Sequence, residues 1–242
     1  MKKISAFLFV LSVLIGTTAC TQTNTSATAR SFLTADEIPT VAKFMPLPPK
    51  PTELAFRNDQ RRYEWGKKMR KTKRGKQAVE DADLSLDYFA KIFSEPFGMT
   101  ISKENTPEIW TLLDRVLSTA YECSHKAKSR IRRIRPFVQF NEPTPVPKDE
   151  KKLRNRSSYP SGHTTRGWAI ALVLAEINPA RQDEILTRGY EYGESRVIVG
   201  FHYQSDVDAA RVITPTMIAR LHANEEFAKQ LKKAKKEFSS KK

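Results

Sequence analysis

Tyr159-Pro160-Ser161-Gly162-His163, continuing into Trp168-Ala169-Ile170-Ala171-Leu172-Val173-Leu174, decides the fold. From about His163 to Ile177 the residues are apolar nearly all round a helix, which marks a buried central helix. Ser161-Gly162 starts it and Asn178-Pro179 breaks it. Downstream, Ala180 to about Val199 predicts another helix, with Gly200 near its end. Ser205 is the predicted cap of a further helix running past Asp206 and Asp208 to about Ala223, with a kink at Pro215. The tail from Glu225 predicts a charged amphipathic helix whose lysines form a solvated face. Upstream, Asp81 to Ser94 carries Leu84, Leu86, Phe89, Ile92 and Phe93 on one face, ending at Pro96 and Gly98. Thr106-Pro107-Glu108 is a helix start with Thr as cap, leading to Ile109, Leu112, Leu113, Val116 and Leu117 at helical spacing. Tyr121 to Arg135 predicts a helix that becomes very basic and stops at Pro136, and Thr52 to Met69 predicts another with Leu54, Tyr63 and Trp65 as buried positions. The chain has only nine glycines and few alternating Val/Ile/Thr runs. The fold class is therefore all-α, a compact helical bundle with a proline-rich N-terminal arm.

That arm is Ser31 to Pro51, where Pro39, Pro46, Pro48, Pro49 and Pro51 forbid a continuous helix. Ahead of it, Lys2-Lys3 and the short apolar run Ile4 to Ile15 read as a signal peptide over residues 1–29, with Ala27-Thr28-Ala29 as cleavage site and Ala19-Cys20 as the competing one. Residues 30–242 follow as one unit with no internal repeat. The expected location is the periplasm, with attachment to a membrane only if Cys20 is lipidated. Cys123 is expected to be a small buried hydrophobe rather than a catalytic thiol. The loop Asn141 to Arg156 reads as a surface lid or rim.

The chain of 242 residues carries a formal charge of +15 and a pI near 9.8, which points to an anionic partner. The basic run Lys67 to Lys76 has no nucleic-acid motif or aromatic interleaving with it, so it reads as a solvated face and no nucleic-acid partner is expected. The chemistry concentrates between 128 and 206. Lys128 and Arg135 are seven residues apart, two turns of the predicted helix, with Arg132 near the same face, and such cations suit a tetrahedral anion. Ser161 and Gly162 stand at a helix start, where free N–H groups and the positive dipole end favour anions, and His163 follows as a proton donor or acceptor. His202 and Asp206 are four apart, so the carboxylate can fix one imidazole nitrogen and leave the other free to attack. Arg196 adds a cation. His125 and His222 read as surface or structural residues.

Lys128-x6-Arg135-Pro136, Pro160-Ser161-Gly162-His163 and Ser195-Arg196-x5-His202-x3-Asp206 resemble, at all eleven fixed positions, the three-part signature of the type 2 phosphatidic acid phosphatase and vanadium haloperoxidase superfamily. The wording around them, such as Gln204-Ser-Asp-Val-Asp-Ala-Ala-Arg211, is similar to the bacterial class A non-specific acid phosphatases. The resemblance implies hydrolysis of small phosphomonoesters through a phosphohistidine. His202 is then the nucleophile, Asp206 its orienter and His163 the acid and base. Lys128, Arg135, Arg196, Ser161 and the Gly162 N–H hold the phosphoryl oxygens. It implies no metal and no cofactor, and an anion site that takes phosphate or vanadate. Rival readings are a lipid or pyrophosphate phosphatase, against which the lack of membrane spans after the leader argues, a vanadate-dependent haloperoxidase, usually a much longer chain, and a basic anion- or nucleic-acid-binding module. Homo-oligomer formation is left open by the sequence.

Overall fold

The computed structural model describes residues 31–242. The signal-peptide reading and Cys20 lie outside these residues. The described residues form ten α-helices and two short 3-10 turns, with no strand among them. The helices are α1 (Phe56–Met69), α2 (Lys73–Glu80), α3 (Leu86–Phe97), α4 (Pro107–Lys128), α5 (Pro136–Gln139), α6 (Pro147–Leu153), α7 (Gly162–Ile177), α8 (Gln182–Ile198), α9 (Gln204–His222) and α10 (Glu225–Lys241).

The apolar α7 is the axis of the bundle and packs against α8, α4, α9, α3 and α10. Ala169, Ile170, Ala171, Val173 and Leu174 are fully buried. Burying one branched aliphatic side chain contributes about 1.5–3 kcal/mol, so this helix is a main source of stability. Its contact with α8 is close because Gly167 faces Tyr192: a Cβ at 167 would lie 2.3 Å from the tyrosine ring. The periodic positions of α4 (Ile109, Leu112, Leu113, Val116 and Leu117) are all buried, as are Phe89 and Phe93 of α3. Cys123 is buried within α4, and burial pushes its thiol up to about 11, which suits a packing residue. In α10, Phe227, Leu231, Ala234 and Phe238 are buried, leaving the lysines outside. The arm crosses this body with Phe32, Leu33, Ile38, Val41 and Met45 buried, and Tyr159 Oη bonds the Pro46 carbonyl.

Several local expectations change. The first helix begins at Phe56, and Leu54 is 74% exposed while Tyr63 is buried. The third begins at Leu86 because Ser85 caps it, and Pro96 lies inside its last turn, before the left-handed Gly98. Thr106 turns its hydroxyl to the Ser102 carbonyl; Glu237 of α10 instead accepts from the Glu108 and Ile109 N–H groups at 3.2 and 2.9 Å. Ser205 is not the cap of α9. Tyr203 takes that position, and the Asp206 carboxylate accepts from its N–H at 2.8 Å. The loop 141–156 contains the short helix α6 and buries Thr144 and Val146. Within the basic run, Arg70 donates to the Ile198 carbonyl at 2.8 Å at the negative end of α8, and Arg74 donates to Ser195. These two are structural, not solvated.

The largest change concerns Tyr121 to Arg135. The helix ends at Lys128, and 131–135 is not helical. Arg135 has φ −74° and ψ 151°, the extended geometry a following proline favours. An alternation of two replaces the helical period: Ile131, Arg133 and Arg135 turn inward, whereas Arg132 and Ile134 are exposed. Lys128 and Arg135 still converge, but through a bend in the chain and not along one helix face.

Candidate active site

His202 follows the turn that closes α8. Gly200 has φ +82°, a region open to glycine, and there a Cβ would meet Arg70 at 2.5 Å. The turn is tied back by the N–H groups of Phe201 and His202, which donate to the Arg196 carbonyl at 3.1 and 3.2 Å. His202 is buried, and its Nδ1–H donates to Asp206 Oδ2 at 3.3 Å. Its Nε2 accepts from Arg135 Nη1 at 3.2 Å. The tautomer is thus fixed, with the lone pair on Nε2 beside a guanidinium.

Arg135 itself is held by backbone carbonyls: Nε donates to Leu153 and Arg156, Nη1 to Phe201 and Nη2 to Ser157. Lys128 Nζ donates to the Ser157 and Ser158 carbonyls at 3.0 and 3.1 Å. Arg196 is different. It is 0% exposed, and its Nε, Nη1 and Nη2 have no hydrogen-bond partner. Its guanidinium lies 5.0 Å over the Phe201 ring. A fully buried cation without donors satisfied is costly unless an anion meets it.

Ser161 caps α7, its Oγ accepting from the Thr164 N–H, and its own N–H donates to the Asp206 carbonyl at 2.9 Å, tying the start of α7 to α9. The place of a side chain at Gly162 is taken by Ser124 Oγ at 3.1 Å and the Lys128 stem at 3.7 Å, which brings the lysine against the helix start. His163 is half-buried. Its Nε2–H donates to the Ala82 carbonyl at 3.1 Å, and its ring stacks on Tyr192. The 81–83 turn that supplies this carbonyl is anchored by the buried Asp81, which accepts from Ser195 Oγ at 2.6 Å, Tyr88 Oη at 2.8 Å and Arg188. Ser195, a member of the signature, thus bonds the Asp81 that anchors the turn against which His163 rests.

The structure brings Lys128, Arg135, Ser161, Gly162, His163, Arg196, His202 and Asp206 into one region. His125 and His222 lie apart, against Tyr121 and Glu176. Arg132, placed near the anion by the helical reading, points outward. Residues that sequence reasoning missed are Arg133, Asp59 and Asp81. The alternation in 131–135 ahead of a proline could have singled out Arg133; nothing local marks the two acids.

Burial, then Arg135, Lys128 and Arg196, hold His202 well below the usual histidine range. Burial and Arg196 do the same to His163. Burial and Arg135 lower Lys128 well below the ordinary lysine value. Each histidine is thus depressed in the folded state, so its stabilising contribution is present above the unfolded value near 6.5 and lost as pH falls. Unfolding free energy in phosphate-free buffer is expected to fall by roughly 1 kcal/mol per histidine between pH 7.5 and 5.5. Bound phosphate favours a protonated His163 and is expected to flatten the profile in part. Urea titrations at the two pH values, with and without phosphate, check this.

A family model described as the PAP2 superfamily matches residues 111–227. The chain is 51% identical over 196 residues to the non-specific acid phosphatase of Providencia stuartii, covering 81% of this chain and 79% of that protein. It is 42% identical over 215 residues to the non-specific acid phosphatase of Salmonella typhimurium, covering 88% and 86%. An acid phosphatase of Zymomonas mobilis is 39% identical over 161 residues, 66% of this chain and 61% of that protein. The chain belongs to the non-specific acid phosphatases of the PAP2 superfamily.

Proposed function

We propose that this acid phosphatase hydrolyses phosphomonoesters of varied alcohols in two steps through a covalent phosphohistidine on His202. The observation that carries the reading is the buried, unpartnered Arg196 guanidinium at the same site as a histidine whose Nδ1 is engaged by Asp206. Lys128, Arg135, Arg196 and the start of α7 hold the phosphoryl oxygens. His202 Nε2 attacks phosphorus, forming the P–N bond as the P–O bond to the alcohol breaks. His163, whose Nε2 is committed to Ala82, delivers a proton from Nδ1 to the leaving oxygen. It then takes a proton from water, which attacks phosphorus and breaks the P–N bond, releasing inorganic phosphate and free His202. Charge spread over the phosphoryl oxygens in the transition state meets fixed cations, so little reorganisation is needed. The incoming dianion also offsets the Arg196 field that depresses His163, which readies that ring as an acid.

The test is hydrolysis of a chromogenic phosphomonoester near pH 6 with excess EDTA, with and without vanadate. Turnover that survives EDTA and is blocked by vanadate is expected. Turnover lost to EDTA, or DNA binding without turnover, sinks the reading. No helix among the described residues is long and apolar enough to cross a membrane. The charged and apolar run at residues 2–15 supports export to the periplasm, and N-terminal sequencing of the secreted protein distinguishes cleavage after Ala29 from retention of Cys20 at the terminus.

A further inference from the structure

Arg133 stands outside the signature positions, yet it makes the shortest side-chain contact to Asp206. Its Nη1 donates to Asp206 Oδ1 at 2.6 Å, while the His202 contact on Oδ2 is 3.3 Å. Nη2 donates to Asp59 Oδ2 of α1 at 2.7 Å. Asp59 is itself fixed to the start of α9: it accepts from the Ser205 N–H at 2.8 Å and from Ser205 Oγ at 2.6 Å. Arg133 Nη1 also donates to Ser205 Oγ at 2.7 Å, and the guanidinium lies 4.0 Å over the Tyr203 ring. Side-chain exposures are 8% for Arg133, 1% for Asp59 and 0% for Asp206. This is a buried charge network joining α1, the 131–135 segment and the first turn of α9.

The two oxygens of Asp206 have separate roles. Oδ1 is matched by Arg133, whereas Oδ2 takes the Tyr203 N–H and His202 Nδ1–H. A carboxylate facing an imidazole raises its basicity, and too basic an imidazole is protonated on Nε2 and cannot attack. A guanidinium on the far oxygen offsets part of the carboxylate's charge and stops it rotating. We propose that Arg133, clamped by Asp59, is a positioning residue for the nucleophile: it fixes the Asp206 carboxylate and limits its charge, so that His202 keeps Nδ1–H with Nε2 free. The inference rests on the phosphohistidine reading above. The other charged or titratable groups facing His202 are Arg135, Lys128, Arg196 and His163, and those acting on Asp206 include Lys128, Arg135, Tyr159 and Tyr203.

The network gives opposite signs to two substitutions. Arg133→Gln removes a positive charge that offsets the Asp206 carboxylate, which favours protonated His202 and moves the acid limb of kcat/KM to higher pH. Asp59→Asn gives Arg133 wholly to Asp206 and moves that limb to lower pH. The experiment measures kcat/KM against pH, thermal midpoint, vanadate affinity and acid-labile phosphoprotein for wild type, Arg133→Gln, Arg133→Lys, Asp59→Asn and His202→Ala. The expected result is a kcat roughly 10- to 100-fold lower in Arg133→Gln, partial recovery in Arg133→Lys, limbs displaced in opposite directions, and vanadate affinity within a few-fold of wild type. Acid limbs at the wild-type position in both variants, with losses that follow the thermal midpoint alone, overturn the proposal and leave a structural staple. If Arg133→Gln does not fold, the Asp59→Asn limb decides by its direction. Wild type that turns over without a trapped phosphoprotein overturns instead the two-step reading.

Discussion

His202→Ala is expected to lower kcat by about 10^4-fold or more while the protein still binds vanadate. The side chain is the nucleophile in the proposed reaction, and no other imidazole can replace it: Nε2 of His163 is tied to Ala82, and its Nδ1 is assigned to the leaving oxygen. The cations of the site do not depend on His202 for their positions. Arg135 is held by four carbonyls and Lys128 by two. Folding is expected to be retained, since removal of a buried ring that lacks charge at neutral pH leaves a modest cavity. Steady-state rates and vanadate titration of the same preparation check both halves.

Arg196→Met is expected to reduce kcat/KM by about 10^3-fold and, in phosphate-free buffer, to stabilise the fold. The first effect follows from losing a fixed cation at the phosphoryl oxygens. The second follows from burial: the guanidinium is 0% exposed with three nitrogens unpartnered, and burial brings it down to about 10. Replacing an unpaired buried charge by an apolar chain of similar length is expected to raise unfolding free energy by about 1–3 kcal/mol. Phosphate should cancel or reverse the difference, because wild type gains about 2.7 kcal/mol when phosphate stands at 100 times its Kd and the variant binds it far more weakly. Thermal midpoints of both proteins with and without phosphate check this; a variant less stable in both buffers contradicts it.

Much of the bundle was legible because its dominant signal is local. The apolar run of α7, the spaced leucines and isoleucines of α4 and the breaks at Asn178-Pro179 and Gly200 are read from neighbours within a few residues. The eleven signature positions are likewise readable, and eight of them lie in one region. What failed was the conformation between Lys128 and Pro136. A run of Arg and Ile suits either a helix or an extended segment, and only the proline at 136 and the enclosure of the site select the second. That error exchanged Arg132 for Arg133. Asp59 and Asp81 were invisible for another reason: they act across 146 and 114 residues, on Ser205 and Ser195, and an isolated Asp on a polar helix or turn has no local mark. Helix starts show the same limit, since Glu237 caps α4 from the far end of the chain.

The most direct measurement is rapid-quench labelling of the wild-type enzyme with a 32P-labelled phosphomonoester, followed by peptide mapping under alkaline conditions. Label that is stable to alkali, lost in mild acid and carried by the peptide containing His202, forming and decaying at rates consistent with kcat, is the predicted result. An enzyme that turns over with no labelled protein at any time point, or with label on a peptide that lacks His202, would contradict the assignment of His202 as nucleophile.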